Sequence, residues 1–405
     1  MKSKYLCLLF IVISLCFCSC GSTHSNNTFP IPGVNKMIPI GKFSNYNTYA
    51  STGFLKGPDN ATTYSANSMV LDKNDNSLIY VYLWAKTIGG IHRLARVVTS
   101  SQSFNTWVMP DGSNTFIDKH PLVSPVINKN SQCGLGFCNI SGQSIAYDPG
   151  NHSVVFFDCT GGPDGSTWGW NGTNWSELGV QPIQLQTQKM CTSYISPFPP
   201  SLFTYENTVG ALTVSSLTHP EIKGHHIVKF SYDVWIYDNQ TNIWSILTTI
   251  NQTGYYQITS IAWLPLQSEL ILVEFPVLNI SGFTTLIYKR GKWKSVKDLN
   301  NSFPNGYLLY NNLTYIGGSC QKLVFVYPSS TFVSNSNIYS SSSDTLIYIW
   351  NTNINNWQLS NLWNKSPHPS GSPQTELPNR NGLMFLNGSS YNKNITIFHD
   401  VEYVC

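Results

Sequence analysis

Apolar positions along this chain come in short runs, and nowhere in the mature region do they recur with a helical period. Runs of Val, Ile, Leu, Tyr, Phe and Trp alternate with clusters of Asn, Gly, Ser and Pro, the pattern of an all-β protein. One stretch supplies a template. "VVFFDCTGG" from Val154 reads as a buried strand ending in glycines, and "STWGWNGTNW" to Trp175 reads as a hairpin. Asn171-Gly172 suits the positive backbone angles of its turn.

The same pieces return downstream. "DVWIYDNQTNIWSIL" carries Tyr237 and Trp244, "TTLIYKRGKWKSV" carries Tyr288 and Trp293, and "TLIYIWNTNINNWQL" carries Trp350 and Trp357. In each, a leading aromatic and a closing Trp flank a turn, and two further apolar runs precede the pair. Four strands closed by a Trp hairpin make one propeller blade. A more divergent copy, "SMVLD", "SLIYVYLWA" and "FNTWVM", is read as closing at Trp107. "NGLMFLNG" and "NITIFHDVEY" supply two strands of a further blade, which an N-terminal strand within "NKMIPIGKFS" completes. Closure of the ring protects sheet edges that an open array would expose.

"VVFFDCTGG…STWGWNGTNW" resembles a kelch repeat: hydrophobic run, Gly-Gly, aromatic, then Trp after a turn. The resemblance extends to the kelch β-propellers, including the central domain of galactose-oxidase-like proteins, over about Asn67 to Cys405. "YVYLWAK", "ILVEFPV" and "LVFVYPS" lack the glycine doublet that the family would have there. The expected fold is an all-β kelch-type β-propeller of six four-stranded blades, with seven as the alternative, and with loops stapled by disulfides. The expected organisation is a signal peptide over 1–20, a flexible N-terminal segment over 21–37 and a single propeller domain over 38–405.

The signal peptide rests on Lys2 and Lys4 before an apolar run from Tyr5 to Phe17, then small residues before Gly21. The chain is therefore read as secreted or lumenal. A lipid anchor through Cys20 is the alternative if the source is bacterial. No later run reaches the eighteen apolar residues of a membrane helix. Six cysteines follow the signal, and the candidate pairs are Cys133–Cys138, Cys159–Cys191 and Cys320–Cys405, out of fifteen connectivities. Only 11% of residues are charged, the net charge is +3 and no basic run occurs, which argues against nucleic acid as a partner. Candidate N-glycosylation sites are Asn60, Asn139, Asn151, Asn171, Asn174, Asn239, Asn251, Asn279, Asn300, Asn312, Asn364, Asn387 and Asn394.

Length accumulates in the connections that a propeller gathers on one face. These include roughly Met109 to Ser141, Leu178 to Ser201 and Ser360 to Arg380, together with "THPEIKGHHIVKFSY" and "PSSTFVSNSNIYSSSS". That face is the candidate surface for a protein or glycan ligand. Closing tryptophans are read as packing between sheets, whereas Trp84 and Trp168 are contact candidates. His219, Glu221, His225 and His226 form one cluster of metal-ligating types, and consecutive histidines rarely face one centre. The galactose-oxidase resemblance raises a copper oxidase with histidine and tyrosine ligands, but no residue is carried over by motif. No cofactor is expected. No phosphate loop, GxSxG elbow or HExxH helix occurs. The reading is an N-glycosylated binding or adhesion module; the alternative is a secreted carbohydrate-active or oxidative enzyme with its site at the propeller axis.

Overall fold

Alternating buried positions and tight turns organise the chain, in a computed structural model, into antiparallel sheets around an axis. The structure describes residues 37–39, 42–43, 63–87, 98–113, 115–125, 144–158, 166–180, 200–218, 221–222, 225–226, 229–251, 256–276, 283–297, 313–318, 320–328, 332–334, 337–339, 345–359, 374–376, 383–385 and 396–398. Residues Val34–Cys405 form one compact unit.

The strands run in chain order as follows. β1 (Met37–Pro39) and β2 (Lys42–Phe43) precede β3 (Thr63–Asp72), β4 (Ser77–Thr87), β5 (Val98–Met109) and β6 (Thr115–Asp118). Next come β7 (Ile145–Asp148), β8 (Ser153–Asp158), β9 (Ser166–Trp170) and β10 (Trp175–Val180). Then β11 (Ser201–Tyr205) and β12 (Thr208–Thr218) lead through a small ribbon, β13 (Glu221–Ile222) and β14 (His225–His226), to β15 (Lys229–Asp238) and β16 (Ile243–Asn251). β17 (Tyr256–Leu264), β18 (Glu269–Pro276), β19 (Thr284–Lys289) and β20 (Lys292–Lys297) follow. β21 (Leu313–Ile316) and β22 (Lys322–Pro328) lead through a second ribbon, β23 (Phe332–Ser334) and β24 (Asn337–Tyr339), to β25 (Thr345–Asn351) and β26 (Asn356–Leu359). β27 (Gln374–Glu376), β28 (Leu383–Phe385) and β29 (Thr396–Phe398) end the chain.

Five sheets are four-stranded antiparallel blades: β7–β10, β11-β12-β15-β16, β17–β20, β21-β22-β25-β26, and β27-β28-β29 with β1. A further sheet, β3 to β6, takes β2 as a fifth strand, parallel to β6. The inner strands β3, β7, β11, β17, β21 and β27 each lie beside the next, and β27 lies against β3. The chain is thus an all-β propeller. The expectation of six four-stranded blades, or seven, is corrected: five sheets have four strands. The reason lies in the N-terminal segment, which first completes the C-terminal blade through Met37 opposite Phe398 and then continues along β6. There it covers an outer edge whose backbone groups would otherwise be open for pairing.

The leading aromatic and closing Trp of each hairpin face one another in register: Trp170 with Trp175, Tyr237 with Trp244, Tyr288 with Trp293 and Trp350 with Trp357. Trp175, Trp244 and Trp357 are almost wholly buried, and Trp293 is half-buried. Each indole reaches across to the preceding sheet. Trp175 Nε1 donates to Thr106 Oγ1 at 2.8 Å, Trp244 to Thr167 at 2.8 Å, Trp357 to Thr285 at 2.8 Å, and Trp293 to Thr248 at 3.2 Å. The core is accordingly divided into clusters between adjacent sheets. One joins Ile79, Val81 and Val108 to Val154, Phe156 and Trp175, and another joins Val155 and Phe157 to Val209, Trp235 and Trp244.

Trp107 does not close its blade. It stands on the third strand, opposite Asp118. Continuing that antiparallel register by two residues sets Met109 opposite Phe116, which is fully buried and seven residues on, the same interval as Tyr237 to Trp244. Thr106, three residues before Met109, matches Thr167 before Trp170 and Thr285 before Tyr288. Phe116 therefore takes the closing position, and a more visible tryptophan two residues off register obscured it.

Short hairpins on the opposite face from the long connections are built by repeated local chemistry. Asp72, Asp148 and Asp238 each accept a backbone N–H two residues on, from Asn74, Gly150 and Gln240, the side-chain mimic of a turn. Asn76, His152, Ser268 and Gln321 then enter the left-handed region, with φ of 56°, 48°, 50° and 52°, just before the returning strand.

Candidate functional site

Six inner strands leave a cavity of about 140 Å³ on the axis. Its walls are mostly apolar, from Met69, Leu71, Ile145, Ala146, Leu202, Phe203, Ile261, Ala262 and Leu313. Tyr147, Trp263 and Tyr315 add aromatic surface, and Thr204, Thr314 and Thr375 add hydroxyls. Among the described residues, charge enters at one end only. Lys73 begins the turn after β3 and Glu376 ends β27, so both stand at the hairpin mouth of the cavity.

Lys73 Nζ and Glu376 Oε1 form an ion pair, and Glu376 Oε2 accepts the Gly317 N–H at 2.7 Å. One carboxylate thereby ties three successive inner strands, β21, β27 and β3. Gly317 suits this approach, because a Cβ there would stand 3.1 Å from Glu376 Oε2. Lys73 keeps 40% of its side chain exposed and Glu376 only 13%. Burial, and then the Glu376 carboxylate, raise the Tyr315 phenol above its ordinary value.

On the same hairpin face, neighbouring hairpins are stitched together. Tyr147 OH donates to Asn74 Oδ1 at 3.0 Å, and the Asn74 amide donates to the His152 carbonyl. Thr204 Oγ1 donates to the Tyr147 carbonyl at 2.8 Å. Asn239 Nδ2 donates to Asp148 Oδ1 and to the Asn207 carbonyl at 3.0 and 3.1 Å, while its Oδ1 accepts from Thr208. Burial first, then Asp148 and Asp238, push the Tyr237 phenol up to about 12. Elsewhere, Glu274 on β18 is buried between the β11–β16 and β17–β20 sheets, and burial pushes its carboxyl up to about 7.

The residues singled out in the sequence are distributed differently. Trp168 is buried in the cluster between the first two sheets and donates to Ser166 Oγ at 2.7 Å. Trp84 stands on β4 opposite Ser65 and Ser103, with its side chain outside the described residues. In the β13–β14 ribbon Glu221 pairs with His226, and Ile222 with His225; His219 and the side chains of all four candidates lie outside the described residues. Among the described residues, no group of three or more His, Cys, Asp or Glu is placed to hold a metal. Cys320 is buried in the turn before β22; Cys133, Cys138, Cys159, Cys191 and Cys405 lie outside the described residues, as do Cys20 and the segment 1–36. So do Asn60, Asn139, Asn279, Asn300, Asn312, Asn364, Asn387 and Asn394, and most of the long connections. Asn151, Asn171 and Asn251 are exposed, and Asn174 is half-buried. Among the described residues, no helix is long and apolar enough to cross a membrane.

Sequence reasoning missed Lys73 and Glu376. They lie 303 positions apart in the chain, and β27, "QTE", carries no apolar pattern. The one available signal was a carboxylate just before the segment "LPNRNG" in a chain poor in charge.

No protein-family model matches the chain, and no curated protein does. Solved structures do. A protein of unknown function from Dyadobacter fermentans has a TM-score of 0.51 at 11% identity, over 91% of this chain and 98% of that one. The Hadza microbial sialidase Hz136 has a TM-score of 0.49 at 12% identity, over 86% and 67% respectively. The fucose-specific lectin from Aleuria aurantia has a TM-score of 0.44 at 9% identity, over 80% and 88%. At such identities the likeness is one of fold, and function is argued from the site.

Proposed function

We propose that this chain is a secreted, N-glycosylated, kelch-type propeller that acts as a binding or adhesion module for a glycan or protein. Cys133–Cys138, Cys159–Cys191 and Cys320–Cys405 are the proposed staples of its loops. The long connections form the surface for a macromolecular partner.

One observation carries the reading. Among the described residues, the charge entering the axial cavity is one carboxylate, already balanced by Lys73 and bonded to the Gly317 amide. Glycoside hydrolysis calls for two carboxyl groups flanking the bond, whereas a neutral polar mouth with aromatic walls suits recognition. The test pairs a glycan array with turnover assays on glycosides and primary alcohols, using the full chain. Saturable binding without product supports the module. Turnover that follows protein concentration overturns it in favour of an axial enzyme.

A further inference from the structure

We propose that the hairpin mouth of the axial cavity binds one neutral hexose-type sugar ring between Lys73, Glu376 and Tyr315. This rests on the reading of the chain as a binding module and names a ligand class and a place for it. The place is opposite the long connections, where the macromolecular partner is assigned.

Size is the first argument. About 140 Å³ is close to the ~150 Å³ of an engineered cavity that accepts benzene, so the chamber admits the face of one ring while the hydroxyls of a sugar stay at the mouth. Charge is the second. An ionic ligand would find no unpaired counter-charge at a mouth whose ion pair is already neutral, and would lose part of its hydration there. A hydrocarbon would strip water from Lys73 and Glu376 and return nothing to them. A ring carrying hydroxyls avoids both penalties.

Donor and acceptor capacity is the third. Lys73 offers three N–H donors, of which Glu376 Oε1 takes one. Among the described residues, each Glu376 oxygen has one protein partner, which leaves lone pairs for hydroxyl donors. Adjacent sugar hydroxyls both donate and accept, so they match this mixed edge. The apolar face of the ring covers the aromatic wall of Tyr315 and Trp263.

The test titrates the full chain with neutral methyl glycosides (gluco, galacto, manno and fuco forms), with glucuronate and with cyclohexanol. Calorimetry and ligand-observed NMR read the binding. At least one neutral glycoside binds, and glucuronate and cyclohexanol bind at least tenfold more weakly. Glu376→Gln keeps an acceptor for Gly317 but loses the charge, and weakens binding tenfold or more. Tyr315→Phe removes one hydroxyl, weakens binding severalfold and serves if the first variant fails to fold. Equal binding of glucuronate or cyclohexanol, or affinity unchanged in both variants, overturns the site. Array binding of oligosaccharides that persists in both variants, with no methyl glycoside bound, overturns this site and leaves the module. Absence of both kinds of binding overturns both.

Discussion

Trp175 and Trp170 face each other across one hairpin and differ in one physical respect. Both are about 1% exposed, and their ring centroids are 5.3 Å apart. Trp175 Nε1 donates to buried Thr106 Oγ1 in the preceding sheet at 2.8 Å, whereas Trp170 Nε1 has no partner among the described residues. Truncation of either to Phe removes similar volume and opens a small cavity, costing on the order of 1–2 kcal/mol. Trp175→Phe also strands the Thr106 hydroxyl, adding ~1–3 kcal/mol. Trp170→Phe instead relieves an unsatisfied buried donor, so it costs less than its volume implies. Denaturant unfolding of the two variants should therefore separate by ~1–3 kcal/mol, with Trp175→Phe the weaker protein. Thr106→Val in each background completes the case: coupling of ~1 kcal/mol or more with Trp175 and none with Trp170. Equal costs, or additivity of Trp175→Phe with Thr106→Val, would refute the view that the indole N–H bonds adjacent sheets.

Three further outcomes follow from particular groups. Glu274 is ordinarily at 4.5 and is pushed up to about 7 by burial, so the unfolded chain ionises first as pH rises. Stability from this group is complete below 4.5 and is lost as pH rises through about 7, by roughly 3 kcal/mol; Glu274→Gln flattens that dependence in melts from pH 4 to 8, and an unchanged slope would contradict it. Gly150→Ala drives a Cβ into the Asn207 carbonyl and to 2.5 Å from Asn239 Nδ2, and costs ~1–3 kcal/mol in denaturant unfolding; a neutral variant would show that the hairpins are not locked. Asn239 spends its amide on Asp148 and Asn207, so glycopeptide mapping of a eukaryotically secreted chain finds it bare while exposed Asn171 carries glycan. Full occupancy at Asn239 would mean that this inter-hairpin bond does not form.

Much of the architecture was legible where one residue type repeats. Each Tyr or Trp followed by a closing Trp marked a hairpin, because a bulky aromatic pair across a turn is unlike ordinary loop sequence. The N-terminal strand was legible because a ring leaves one blade incomplete. Phe116 was not legible, since Trp107 offered a brighter signal two residues away from the true register. β27 was hidden because "QTE" is polar and its neighbours, Lys73 and Gly317, come from distant parts of the chain. The axial mouth could not be read for the same reason: its ion pair is created by closure of the ring, and no local pattern encodes that.

The most direct measurement is a crystal structure of the full chain soaked with the best-bound neutral methyl glycoside. The account predicts an intact sugar ring at the hairpin mouth, bonded to Lys73 and Glu376 and lying against Tyr315. A cavity without sugar while the glycoside sits among the long connections, or a cleaved or oxidised sugar at the axis, would contradict it.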